Sequence, residues 1–168
     1  MINQFQSFRA WLLTSIVEGI KPIYAVLFQR KKMPWCITHE QLRRRAPGTL
    51  GRSLADFLDD HRFELLPLYE SHDVYHILLG FQASVKDEAA MQCWLLGNRK
   101  YSPAVLVTVV ASVCLLPEYS RYFYRAFRRG RVSYPIRHWQ FEHLLHEPLE
   151  LLQAVVERRV PPTAPLIY

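Results

Sequence analysis

The sequence predicts an all-α fold, a single-domain helical bundle, and three features predict it. Apolar residues recur at intervals of three and four along most of the chain, which is helical periodicity. Serine, threonine, proline and glycine stand where helices are expected to start and stop. No stretch alternates apolar and polar residues in a way that finds a partner strand; Arg131 to Tyr134 is the one extended candidate. With 168 residues, 50% of them hydrophobic, the chain can bury one sizeable core and is short for two ordinary domains, so one domain over 1–168 is expected.

The first helix follows from Phe5, Phe8, Leu12, Ile16, Ile20 and Ile23, a stripe widened by Trp11 and Leu13 and read as a core face. Pro22 kinks or divides it, because proline removes a backbone donor and crowds the preceding turn. Thr38 caps a short second helix that Pro47-Gly48 ends, and Gly51-Arg52-Ser53 opens a third, to about Asp60. On that helix Asp56, Asp59 and Asp60 stand among Leu54, Phe57 and Leu58 and read as a solvated face. Pro67 marks the start of a fourth helix, which Gly80 ends after Ile77-Leu78-Leu79. Ser84 caps a fifth, with Asp87 as its acidic partner and Gly97-Asn98 as its close.

Ser102-Pro103 supply the N-cap and first position of a sixth helix, whose apolar core, Ala104 to Leu116, ends before Pro117. Its thirteen residues fall well short of the ~20 that cross a bilayer. A helix apolar on every side is expected to be enclosed by protein or to line an apolar cavity. Glu118 to Phe127 and Glu147 to Arg158 supply two more helices, and Pro161-Pro162 to Tyr168 is a tail.

The formal net charge is +6, and the cations cluster: Arg30-Lys31-Lys32, Arg43-Arg44-Arg45, and Arg121, Arg125, Arg128, Arg129 and Arg131. Clusters of this kind favour an anionic partner. No nucleic-acid-binding signature accompanies them, whereas apolar and aromatic residues interleave with the arginines from Tyr119 to Arg131, so an anionic membrane surface or a phosphate or carboxylate on the substrate is the expected partner, the alternative being a solvated basic face. Cys36, Cys93 and Cys114 are too widely spaced for a disulfide framework or a CxxC site, which points to a reducing cytoplasm. Cys93 and Cys114 stand in apolar helical stretches and are expected to be buried. No secretory signal pattern is evident at the N-terminus.

The chemistry-bearing pattern is His72, Asp73, His76 and, after eleven further residues, Glu88. On a helix, residues four apart stand one above the other, so His72 and His76 share a face and Asp73 flanks it. A straight helix would carry Glu88 roughly 18 Å beyond His76. The stop at Gly80 and the start at Ser84 instead predict a helix hairpin that returns Glu88 to the level of His76. Two imidazoles and two carboxylates suit zinc, and iron, manganese or cobalt nearly as well. The simpler alternative is a capped helix whose histidines are solvated or paired with Asp73 and Glu88. His138, His143 and His146 form a second cluster, explained by exposed positions near Glu142 and Glu147. A phosphohydrolase with a His-Asp dipeptide needs a further downstream aspartate, and none follows Asp87. Di-iron bundles need Glu-x-x-His pairs, and no glutamate here has histidine three residues later.

The spacing HDxxH, eleven residues, Glu resembles the signature of the ubiquinone-biosynthesis family named for the fourth coenzyme Q protein. Pro47 to Arg52 with Phe57-Leu58 resembles its lead-in, and Ala126 to Arg131, Trp139 and Glu147-Pro148-Leu149 its C-terminal segment, so the likeness is strongest over 46–150. It implies an all-helical fold with an apolar interior that accommodates an isoprenoid lipid. A divalent metal, usually zinc, would sit on His72, Asp73, His76 and Glu88. It further implies action at C1 of a polyprenylated hydroxybenzoate, a decarboxylation that is in some readings oxidative, with Glu88 and Asp73 as catalytic candidates. Implied partners are a prenylated aromatic lipid, an anionic membrane surface, other quinone-biosynthesis enzymes and a second copy in a homodimer, but not nucleic acid. The implied location is peripheral, on the cytoplasmic face of a bacterial membrane. The alternative is a non-catalytic lipid-binding scaffold with a structural metal.

Overall fold

The computed structural model describes residues 7–9, 11–15 and 33–162. In chain order the helices are α1 (residues 7–9 and 11–15), α2 (His39–Arg43), α3 (Leu50–His61), α4 (Glu70–Leu79), α5 (Val85–Gly97), α6 (Pro103–Leu115), α7 (Ser120–Val132) and α8 (Leu149–Val156). Short 3-10 turns occupy Pro117–Tyr119 and Phe141–Leu144. Among the described residues there is no strand, only an isolated bridge between Thr49 and Pro148, so the fold is all-α as the periodicity predicts. Phe5, Ile16, Ile20, Pro22, Ile23, the Arg30–Lys32 cluster and 163–168 lie outside the described residues.

The predicted caps are in place. Thr38 makes a capping box with Gln41, and Ser84 and Ser102 accept from the backbone N–H groups of Asp87 and Val105. The α3 cap is Thr49, one residue before Leu50. The start of α4 is displaced from Pro67 to Glu70, because Leu68 adopts φ +72° and a left-handed residue cannot lie inside a right-handed helix. Gly80 ends α4 at φ +72°, the conformation that only glycine adopts without strain.

The chain divides into two compact units: the described part of Met1–Lys31 with Gln82–Val132, and the described part of Lys32–Tyr168 outside that block, namely up to Phe81 and from Ser133 onward. In the second unit, α3 packs against α2 and α4, and α4 against α8. Leu42, Leu50, Leu54, Leu58, Val74 and Leu152 are buried there. The Gln153 side chain donates to the Ile77 carbonyl at 3.0 Å, which ties α8 to α4.

In the first unit α5 packs against both α6 and α7. Where α5 meets α7 the backbones nearly touch: a Cβ at Gly97 would lie 2.2 Å from the Phe127 carbonyl oxygen, and one at Gly130 would lie 2.1 Å from that of Trp94. The helix closes at Gly97-Asn98 as the sequence predicts: Gly97 is its last helical residue and also a packing position, and Asn98 is the cap and donates to the Gly130 carbonyl at 3.1 Å.

The sixth helix departs from expectation. It runs over the predicted span, but it is not enclosed. Only Val105, Thr108 and Ser112 are buried, while Leu106, Val107, Val110 and Val113 are 43–63% exposed. The Ser112 hydroxyl donates to the Thr108 carbonyl, so its burial leaves no orphan donor. Cys114, expected in the core, is likewise exposed. Of the N-terminal stripe, Leu13 is buried, but Phe8 and Trp11 are 56% and 61% exposed. No single helix among the described residues is long and apolar enough to cross a membrane.

Candidate metal centre

Both signature histidines stand on α4, and their facing is set within that helix. The Nε2 atoms of His72 and His76 lie 3.4 Å apart, the rings nearly perpendicular at 77° with centroids 5.1 Å apart. His76 is buried and His72 half-buried. The Nδ1 of His76 lies 3.1 Å from the Phe81 carbonyl oxygen, just beyond the glycine cap. A carbonyl only accepts, so Nδ1 carries the hydrogen, and in the neutral ring Nε2 is left with the lone pair that faces His72. Gly80 makes this possible, since its left-handed turn also lets Phe81 N–H bond the His76 carbonyl at 3.1 Å.

That donor pair fits a divalent first-row metal. Two zinc–nitrogen bonds of about 2.05 Å at a tetrahedral angle hold their nitrogens about 3.3 Å apart. An imidazole that donates its other N–H to a backbone carbonyl is the usual support of a metal ligand. Phe57 stacks on the His76 ring at 5.4 Å and 16°, and His61 lies against the same phenyl at 4.4 Å, its Nδ1 bonded to the Phe57 carbonyl at 2.9 Å. The stack shields one side of the buried imidazole from water. Glu70, 4% exposed at the start of α4, accepts from the Trp35 N–H at 3.0 Å.

Asp73 follows His72 and is half-buried. Glu88, in the first turn of α5, is half-buried and belongs to the other compact unit. The turn that carries it is well anchored. Asp87, 7% exposed, accepts from the Ser84 hydroxyl at 3.0 Å and from the Tyr122 hydroxyl of α7 at 2.6 Å. Burial, and then this hydrogen bond to a carboxylate, push the Tyr122 phenol up to about 12.

The rival clusters resolve into ordinary surface pairs. His143 and His146 lie within ion-pair distance of their neighbours Glu142 and Glu147, at 3.5 and 3.1 Å, and exposed His138 is bonded by Arg137. Asp56 pairs with Arg52 at 2.8 Å, and Asp59 with Arg43, whose guanidinium holds the Asp59 carboxyl below its usual range. Phe57, the Phe81 carbonyl and Tyr122 escaped sequence reasoning. Nothing local marks a phenylalanine as the one that stacks on a histidine nineteen positions on, and a backbone carbonyl carries no sequence signal at all.

No family model matches the chain, and no curated protein matches it. Three chains of solved structures do. One is a crystal structure of a protein from Nostoc punctiforme PCC 73102, provisionally named as a ubiquinone biosynthesis protein. It has a TM-score of 0.62 and 18% identity, and the match covers 90% of this chain and 82% of that one. What the two share is the fold.

Proposed function

We propose that the protein is a ubiquinone-biosynthesis-like, metal-dependent enzyme acting at C1 of a polyprenylated hydroxybenzoate, peripheral on the cytoplasmic face of a bacterial membrane. The observation that carries the reading is the pair of imidazole nitrogens on α4, 3.4 Å apart, with the buried ring held by a backbone carbonyl. The common fold with the Nostoc protein supports it. His72, Asp73, His76 and Glu88 are the proposed ligands, the last on the strength of the motif spacing, and zinc is the proposed ion. When bound, such an ion supplies a Lewis acid that polarises a carboxylate or phenolate oxygen.

The residues supply the rest. His76 is held in one tautomer by Phe81, and Phe57 keeps water off one side of its ring. In a non-oxidative decarboxylation the C1–carboxyl bond breaks, carbon dioxide leaves, and the electron pair left on C1 takes up a proton. Asp73 and Glu88 are the catalytic candidates: a carboxylate bound to the ion carries no proton, so the one that leaves the ion is the proposed group that holds and delivers that proton.

The test is cobalt(II) titration by visible absorption, with carbon dioxide release from a prenylated hydroxybenzoate as the second readout. The wild type should bind one ion per chain, His72→Ala and His76→Ala should lose it, and Glu88→Gln should abolish turnover with an unchanged circular-dichroism spectrum. If Glu88→Gln lowers the melting temperature and no turnover exists to lose, the protein is a scaffold with a structural metal. Equal cobalt binding by wild type and His76→Ala would remove the basis of the proposal.

A further inference from the structure

The polarity of α6 is inverted for a helix in contact with water. At about 100° per residue, Val105, Thr108 and Ser112 share its buried side, and the opposite side carries Leu106, Val107, Val110, Val113 and Cys114, all exposed. Thr108 is 9% exposed and Val110 63%. Scattered exposed valines are ordinary, but a continuous apolar stripe along a helix about 20 Å long marks an interaction surface. Exposed aromatics stand near both of its ends. Tyr101 precedes the helix at 68% exposure. At the other end Arg9 of α1 pairs with Glu118 at 2.7 Å, tying the exposed Phe8 and Trp11 to the turn that follows α6.

The charge that accompanies the stripe is basic. Arg99 is exposed just before α6, and α7 presents Arg121, Arg125, Arg128, Arg129 and Arg131 with no acidic residue between Ser120 and Val132. We infer that the outward face of α6 is the surface by which this protein docks on an anionic lipid bilayer, lying along the headgroup region with its aliphatic side chains toward the acyl chains and the α7 arginines at phosphates. The helix is too short to pass through a layer about 30 Å thick. The five exposed arginines of α7, the helix that follows α6, favour an anionic bilayer over a second copy, which would carry the same positive charge. The inference rests on the peripheral-membrane part of the proposed function and assigns it a surface.

Flotation with phosphatidylcholine vesicles, with and without phosphatidylglycerol, tests it. The wild type should float with the anionic vesicles and be released by salt. The double variant Val107→Glu, Val110→Glu should bind at least about tenfold more weakly, because it carries carboxylates into the acyl boundary, while its thermal melting stays that of the wild type. In a Cys36→Ser background, an environment-sensitive dye on Cys114 should shift to the blue on the same vesicles. A double variant that floats as well as the wild type, or a dye that does not shift while the protein floats, overturns the assignment to α6 and leaves the peripheral reading standing. A wild type that floats with neither vesicle overturns both. A wild-type dimer that does not float, and that the double variant converts to monomer, assigns the face to a second copy and overturns the inference.

Discussion

Gly130→Ala puts the packing of α5 on α7 to a quantitative test. The added Cβ would fall 2.1 Å from the Trp94 carbonyl oxygen. Carbon packs on a carbonyl oxygen at about 3.3 Å or beyond, so the helices must part by about 1 Å. The obstacle is backbone, which no rotamer change can move aside. A gap of that size forfeits roughly a quarter to a half of the dispersion attraction across the contact, where Met91, Trp94, Phe123 and Ala126 are buried. It also stretches the bond from Asn98 to the Gly130 carbonyl. Overpacking of this kind costs about 3 kcal/mol. Alanine's better helix propensity offsets about 1 kcal/mol. The net loss of about 2 kcal/mol lowers the melting temperature by roughly 4–8 °C in a chain of this length. Circular-dichroism melting measures it directly, with the pre-transition spectrum as a check that the helices still form. A Gly130→Ala protein that melts at or above the wild-type temperature would refute the close backbone contact.

Gly80→Ala meets no atom within 4 Å, so its cost is the left-handed backbone alone, about 1 kcal/mol in urea denaturation, and Gly80→Asn should cost less. Equal stabilities for all three would contradict the positive φ. Tyr122, with its phenol pushed up to about 12 against about 10 when unfolded, keeps a proton that the unfolded chain releases. Its contribution to stability is whole below about pH 10 and is lost as the pH rises through about 12. An ultraviolet phenolate titration should show a late tyrosine that Tyr122→Phe removes; a late component that survives the substitution would belong to another residue. Cys93 is buried and burial pushes its thiol up to about 11, whereas Cys36 and Cys114 are exposed. A thiol reagent at mildly alkaline pH should therefore modify two of the three cysteines in the native protein and the third only on unfolding. Three fast thiols would rule out the packed environment of α5.

The features legible in the chain are those fixed by neighbours in sequence. Thr38, Ser84 and Ser102 cap helices because a side-chain oxygen reaches a backbone N–H three residues away. Gly80 stops α4 because one residue's φ decides it. His72 and His76 meet because four residues make just over one helical turn. The all-α class follows from the same local periodicity.

What only the tertiary structure decided is which side of each helix is covered, and by what. The composition of α6 is apolar all round, and sequence could not say that Val105, Thr108 and Ser112 are buried while Leu106, Val107, Val110 and Val113 are exposed, since that depends on what packs against the helix. Gly97 closes α5 as the chain predicts, and that it is also a contact point only the fold shows, because the Phe127 carbonyl that excludes a side chain there lies thirty residues away. The tautomer of His76 depends on the Phe81 carbonyl and its ring environment on Phe57. The residue types and spacing of the candidate site were set by the sequence, whereas protonation, shielding and exposure came from atoms that the local pattern does not encode.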